Sequence, residues 1–428
     1  MTVTAAAVGS TILTGSGNDT ITLAAGDDAV NTGAGSDSVS GTVGAGDAIN
    51  LGASADSFTF QALPSGGDVD GDTGSDTLVY SLATDLTFDF SVTTGQVIAG
   101  PTTYGYSNFE NLNAAGVGVG VDLTAVDGAA AGGNSLLTGL GDDIIVVSVS
   151  SFSALDVFQA DGGGDQLTVN GSGGTVTMQA SWTGFETVQI NSGAVFVANT
   201  TANLAISGSV ADDDITVGAS SQTVNTSGGD DIIRVTSGTM PSTITAGGDT
   251  AGTPDFANPF DDDVIVISGG GAVTFGPGIT GVEQMFTGAT AVTLVLNNEG
   301  YIVHLEGGVN HVVDSGNNVS ANDYFVFEDS VGWEGQVVAL NAFLEDADAP
   351  AQFDILNISA FGLAGYDGEQ TDAQIADGFA AGTAVFNTDN QRLYLDLNGD
   401  GFFNSGDDLR INLGGVTDLS AVVDLILS

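Results

Sequence analysis

Residues 14–40 read TGSGNDTIT-LAAGDDAVN-TGAGSDSVS when cut every nine residues. Asp19, Asp28 and Asp37 fall in one column, and Ile21, Val30 and Val39 fall two places further on. Glycines stand ahead of each aspartate: Gly15 and Gly17, then Gly26, then Gly33 and Gly35. Glycine permits a tight turn with positive φ and exposes its carbonyl. The D-x-U-x that follows, with U a bulky apolar residue, reads as a very short strand. One such unit can neither bury U nor complete a ligand shell, so several must stack. The spacing therefore predicts a parallel β-solenoid with aliphatic residues inside and a row of aspartates and carbonyls along the turns.

The repeat extends outward from this block. TVGAGDAIN (42–50), LGASADSFT (51–59) and GDTGSDTLV (71–79) carry Asp47, Asp56 and Asp76 in the aspartate column. Later copies are solitary and lead into longer β-rich runs: TGLGDDIIVVS (138–148) with Asp143, DGGGDQLTVN (161–170), VADDDITVG (210–218), SGGDDIIRVTSG (227–238) with Asp231, and PFDDDVIVISGG (259–270). A second signature, apolar-Glu, recurs in SNFENLN (107–113), TGFETVQI (183–190) and TGVEQMF (280–286). Val, Ile, Thr and Phe fill the short runs, and Gly, Asn, Asp and Ser separate them, which is strand-and-turn composition. The expected fold is all-β: a short parallel β-roll or β-solenoid over 1–60, β-rich repeat units over 61–300, and a small β-rich C-terminal domain over 301–428. Helix is expected only at 369–382 and 417–427.

Composition narrows the chemistry. Among 428 residues there are 54 acidic side chains and three basic ones, Arg234, Arg392 and Arg410, for a formal charge of −51. Self-repulsion of that size opposes compaction unless cations neutralise it. It also argues against nucleic acid and anionic membrane as partners, both of which need basic footprints. Most of the acids are Asp, the shorter carboxylate that suits turns and hard cations, so calcium is the expected cofactor. Cysteine is absent, so thiolate and disulfide chemistry are not available. The N-terminal stretch lacks the pattern of a secretory signal, and no run of about 18 apolar residues predicts a membrane span.

The nonamers resemble the RTX (repeats-in-toxin) calcium-binding repeats, GGxGxDxUx, of bacterial proteins exported by type I secretion. Departures occur at Ala24 in the first glycine column and at Ala45 and Ser54 in the second. The candidate calcium ligands in the repeats are Asp19, Asp28, Asp37, Asp47, Asp56, Asp76, Asp143 and Asp231. A second signal lies in DLNGDGFFNSGD (396–407). Asp396, Asn398, Asp400, the Phe402 carbonyl and Asp407 occupy positions 1, 3, 5, 7 and 12 of an EF-type loop, with Gly401 at the sharp turn. Its flanks, RLYL and LRINL, read as strands, and the loop is closer to that of dockerin modules than to a helix-flanked EF-hand. The segment from Ala384 to the end is similar to the C-terminal secretion region of RTX-type proteins. That resemblance implies an extracellular or cell-surface protein exported without a cleaved N-terminal signal.

No H-E-x-x-H or G-x-S-x-G motif is present, and no Walker or dinucleotide fingerprint sits in a strand-to-helix context. His304 and His311, in YIVHLEGGVNHVV, are expected to be structural. Glu186 and Glu283 belong to the recurrent apolar-Glu signature, which suggests a strand contact rather than an active site. The expected function is non-enzymatic: a calcium-dependent extracellular structural protein that self-assembles into a surface layer or filament. The alternative is a calcium-dependent adhesin or matrix protein that binds a cell-surface polysaccharide, for which Trp182, Phe185, Tyr104 and Tyr106 are the aromatic candidates.

Overall fold

A computed structural model of the chain is almost entirely strand and turn. It describes residues 1–90, 94–99, 102–124, 133–150, 152–247, 263–297, 300–307, 309–315, 323–328, 331–343, 354–414, 416–417, 419 and 425–427. Two compact units divide between Gly208 and Ser209.

The first unit opens with the nonamers. Their strands are β1 (Thr2–Thr4), β2 (Thr11–Ser16), β3 (Thr20–Thr22), β4 (Ala29–Ala34), β5 (Ser38–Gly41), β6 (Ala48–Asn50), β7 (Ser57–Phe60), β8 (Asp68–Asp70) and β9 (Thr77–Val79). Odd-numbered strands line up in one sheet and even-numbered strands in another. Thr2 pairs with Thr20 and Thr11 with Ala29, so two nonamers make one coil. Ala29 then pairs with Ala48 and Ser38 with Ser57. The residue inserted after 40 lengthens one corner and leaves the parallel register intact.

Side chains alternate along a strand, so U and the residue two before it share a face. That face is the core. Ile21, Val39, Phe58 and Leu78 stack in register, each fully buried. Burial of such a side chain contributes about 1.5–3 kcal/mol, and it is realised only where a coil lies on either side. The glycine column has an equally direct cause. Gly33 has φ 92°, and a Cβ there would lie 2.0 Å from the Gly15 carbonyl oxygen of the neighbouring coil. Ala24 breaks no such column, because it belongs to the opposite corner.

The stack runs unbroken past residue 60, since β6 pairs with β8 and β7 with β9. It continues through Asn111–Asn113, Ser135–Leu137 and Val157–Gln159. An antiparallel hairpin, Thr94–Ala99 with Thr102–Ser107, joins the even sheet beside β8. In the second unit, Asp214–Thr216, Ile232–Val235, Val264–Ile267, Gln284–Phe286, Ile302–Leu305, Tyr324–Phe327 and Ile355–Asn357 stack in parallel. Near the C-terminus the order changes: Thr383–Asn387, Arg392–Leu395 and Leu409–Gly414 form an antiparallel meander.

The helix expected over 369–382 is only Asp372–Ala376, closed by a Thr371/Gln374 capping box. The residues before it, Gly365–Gln370, are drawn into strand pairing with Thr383–Asn387. Most of the other expected helix, 417–427, lies outside the described residues. Leu425–Ile426 is strand and pairs with Leu356–Asn357.

Candidate metal centre

The aspartate column points inward. Asp19 precedes Ile21 by two residues, as Asp37 precedes Val39 and Asp56 precedes Phe58, so each carboxylate enters the same face as its core residue. Asp19, Asp28, Asp37, Asp47, Asp56, Asp76, Asp143 and Asp231 are all buried, at 5% exposure or less. These carboxylates tie neighbouring coils together. The Asp19 amide donates to Asp37 Oδ1 at 2.7 Å, the Asp37 amide to Asp56 Oδ1 at 2.6 Å, and the Asp56 amide to Asp76 Oδ1 at 2.7 Å. At the other corner Ser10 donates to Asp28 and Asp28 to Asp47, both at 2.7 Å. The N-terminal ammonium of Met1 takes the donor's place at Asp19 and holds that carboxyl below its ordinary pKa. Each ladder thus caps amides that the β-pairing leaves over at the corners, as obligatory donors require.

The same device recurs downstream. Asp143 donates to Asp165 at 2.9 Å, Asp213 to Asp231 at 2.8 Å, Asp231 to Asp263 at 3.0 Å, and Asp323 to Asp354 at 3.0 Å. The apolar-Glu signature is its terminator. Asp76, Asp165 and Asp263 donate their amides to Glu110 (2.8 Å), Glu186 (2.8 Å) and Glu283 (3.1 Å). In each case the aspartate carbonyl accepts from the Glu amide and from the next one as well. The longer side chain serves the ladder where a coil enters irregularly. The expected structural role of Glu186 and Glu283 follows directly from this geometry.

One oxygen per ladder aspartate is the feature with chemical consequence. The Oδ2 atoms of Asp28, Asp37, Asp56, Asp76, Asp165 and Asp323 are buried with no hydrogen-bond partner. A buried carboxylate with half its acceptors unmet is costly unless it binds a proton or a cation. Burial accordingly pushes Asp76 up to about 7, Asp165 and Asp231 to about 6, and Asp323 to about 8, with neighbouring ladder carboxylates adding to the rise. Asp56 and Asp143 are raised for the same first reason. Thr14, Thr138 and Thr226, five residues ahead of Asp19, Asp143 and Asp231, bring a hydroxyl that favours the ionised form.

The C-terminal loop is built differently. Asp396 accepts four amides: Gly399 at 2.8 Å, Asp400 at 3.2 Å, Gly401 at 2.8 Å and Gly382 at 2.7 Å. Asp400 accepts from the Phe402 amide and from the Asn404 side chain, both at 2.8 Å. The carboxylate that closes the loop is Asp408, which accepts from the Leu397 amide at 2.9 Å and the Asn404 amide at 2.7 Å. Asp407 is exposed. Asn398 lies on the same loop, its side-chain amide 3.3 Å from Asp400 Oδ2.

Among the described residues, no three His, Asp or Glu side chains converge on a point that would hold a metal. The donors fit a hard cation in another way. Asp28, Asp37, Asp56, Asp76, Asp165 and Asp323 each supply one buried, unpartnered carboxylate oxygen, and calcium accepts such oxygens together with turn carbonyls; Asp47 does not, because its Oδ2 accepts the Gly44 amide at 2.6 Å. Comparison with known proteins finds no family model, no curated protein and no solved structure that matches this chain.

The histidines are held separately. His304 pairs with Glu328, sits 2.8 Å from Gln284 Oε1 and stacks on Phe286. His311 Nε2 lies 3.0 Å from the Glu306 carbonyl oxygen, and burial lowers its pKa. Trp182, Phe185 and Tyr106 are buried in the core. The glycine-free ladder members Asp156, Asp323 and Asp354 escaped the motif reading, although D-x-U (DVF, DYF, DIL) is present at each.

Proposed function

We propose that this chain is a calcium-set extracellular scaffold, a β-solenoid building block that self-assembles into a surface layer or filament. The observation that carries the reading is the set of buried carboxylate oxygens left without a donor at Asp28, Asp37, Asp56, Asp76, Asp165 and Asp323. Calcium bound along the ladders would draw on Asp19, Asp28, Asp37, Asp56 and Asp76 in the tandem coils, and on Asp143 and Asp231 further on, together with turn carbonyls. It would supply charge neutralisation, so that binding free energy becomes folding free energy. In a chain of formal charge −51, the same neutralisation lowers repulsion between copies. Export by type I secretion fits this logic: a chain kept loose where calcium is scarce folds where it is abundant.

The adhesin alternative is weakened by the burial of three of its four aromatic candidates, which cannot form an exposed stacking platform. Electron microscopy of the purified protein with calcium and with a chelator tests the proposal. Ordered sheets or filaments that appear with calcium and dissolve on chelation are expected. Particles that stay dispersed in both conditions would overturn it.

A further inference from the structure

Two of the three cationic side chains of this chain lie side by side. Arg392 and Arg410 stand on neighbouring antiparallel strands of the C-terminal meander, where Arg392 pairs with Asn412 and Tyr394 with Arg410. Residues opposite each other in a ladder share a face, and alternate residues of a strand take opposite faces. The inner face carries Leu393, Leu395, Leu409, Ile411 and Leu413, all fully buried. The two arginines therefore occupy the outer face as diagonal neighbours, about 7–8 Å apart at the backbone, and both are partly exposed.

No carboxylate answers them. The residues paired beside them on that face are Asn387, Asn412, Tyr394 and Val337. Arg234 grips Asp214 with two bonds of 2.7 Å; among the described residues, Arg392 and Arg410 make no ion pair. Arg410 Nε is buried without an acceptor, so nothing beneath the guanidinium offsets its charge. The acids of the adjoining segment face other donors. Asp389 accepts the Asp372 amide at 2.8 Å, and Asp372 accepts the Asn387 and Asn390 side chains at 2.7 and 3.0 Å.

In a chain with 54 acidic residues, two unanswered guanidiniums on one face have an evident counterpart. Asp27, Asp142 and Asp212 stand one residue ahead of the buried Asp28, Asp143 and Asp213 and are themselves exposed. A second copy therefore offers outward carboxylates on its turns, and the planar fork of arginine suits a carboxylate at an interface. Elsewhere the charge of this chain repels a second copy, whereas at this face it attracts one.

We propose that the outer face of the C-terminal meander, at Arg392 and Arg410, docks an exposed aspartate turn of a second copy of this chain. The inference rests on the self-assembly reading and deepens it by naming the contact. Its two halves are different surfaces, so the contact is heterologous and passes from copy to copy, as a layer or filament requires.

The chain contains no lysine, which makes the test direct. In the full chain, Arg410→Lys places the only side-chain amine on this face, and a zero-length carbodiimide should link it to an aspartate of another copy. Peptide mapping of the linked species should find an exposed turn aspartate such as Asp27, Asp142 or Asp212. Arg234→Lys, whose amine meets Asp214 of its own chain, should give no interchain link. Sedimentation equilibrium of the Arg392→Gln/Arg410→Gln variant, its strand content checked by circular dichroism, should show self-association weakened about tenfold. Added salt should weaken the wild type in the same way. Interchain linking that is equal in the two lysine variants, or a wild type that stays monomeric throughout, would overturn the proposal. Calcium-dependent sheets that form equally well in the double variant would overturn this contact and leave the assembly reading standing. Interchain links from Arg410→Lys without sheets would support the contact and sink that reading. Retention of the wild type on a polyuronate gel with no interchain links would assign the face to polysaccharide and overturn the proposal.

Discussion

In the tandem coils Asp28, Asp37, Asp56 and Asp76 each receive one amide from the neighbouring coil and keep a second oxygen without a donor, whereas Asp47 fills its second oxygen with the Gly44 amide. In the C-terminal loop Asp396 receives four amides and both its oxygens are met. The two regions share residue type, glycine content and apparent calcium signature, yet their electrostatic states are opposite. The loop satisfies its carboxylate by folding, whereas the ladder fixes its carboxylates in place and keeps their charge exposed to one another. A motif therefore tells where oxygens gather, and the hydrogen-bond count at each oxygen tells whether a cation is needed. On this account calcium acts on the ladders more than on the loop, although the loop carries the closer match to a named calcium motif.

The comparison can be broken most sharply at Asp396. Asp396→Ala leaves four amides without their acceptor, and a loss of at least about 3 kcal/mol is expected from hydrogen bonds to a charged group. Chemical denaturation should report the same loss in calcium and in chelator. A loss present only in calcium would place the loop with the ladders.

Asp37 provides the counterpart. Asp37→Ala orphans the Asp19 amide and should cost about 1–3 kcal/mol. Asp37→Asn keeps an acceptor for that amide and removes the charge, so its effect should change sign with conditions. In chelator the melting temperature is expected to stay level or rise; in calcium it should fall below wild type. A fall in both conditions would show that the ladder charge is not the quantity that matters.

A smaller effect comes from pH. Asp76, Asp165, Asp231 and Asp323 are raised from 3.8 to about 7, 6, 6 and 8. The folded chain therefore binds more protons than the unfolded chain between about pH 4 and 8, and stability falls as pH rises through that window. Thermal melts in chelator should show this decline, and calcium should flatten it. Melting temperatures that rise from pH 4 to 8 in chelator would contradict the burial of these groups.

The smallest effect belongs to the terminators. Glu186→Asp shortens the reach to the Asp165 amide, and about 1 kcal/mol is expected. Since Asp serves this role in regular coils, an unchanged stability would mean that the irregular entry at 186 does not set the side-chain length.

The fold was legible because D-x-U with a nine-residue period leaves few alternatives: Ile21, Val39 and Phe58 can be buried together only if coils stack. The direction of the aspartates was legible in principle, since a residue two before a core residue shares its face, but the glycines drew attention to the turn instead. Asp156, Asp323 and Asp354 lack flanking glycine, so no turn signature marks them in the sequence. Glu110, Glu186 and Glu283 were recognisable as a recurrent feature, but their partners were not, because each lies a full coil away in a coil of irregular length. At the loop, the twelve-position spacing selects Asp407; the strand that begins at Leu409 turns Asp408 inward in its place. The antiparallel meander of residues 383–414 shows no period at all, and only pairing in three dimensions defines it.

The central claim is that the ladder carboxylates of the tandem coils are where a cation sets this fold. Hydrogen–deuterium exchange, followed peptide by peptide with calcium and with chelator, tests it most directly. The account predicts that calcium slows exchange at the ladder amides of residues 14–80, with little change across 396–408. Protection confined to 396–408, or no response to calcium in either region, would contradict it.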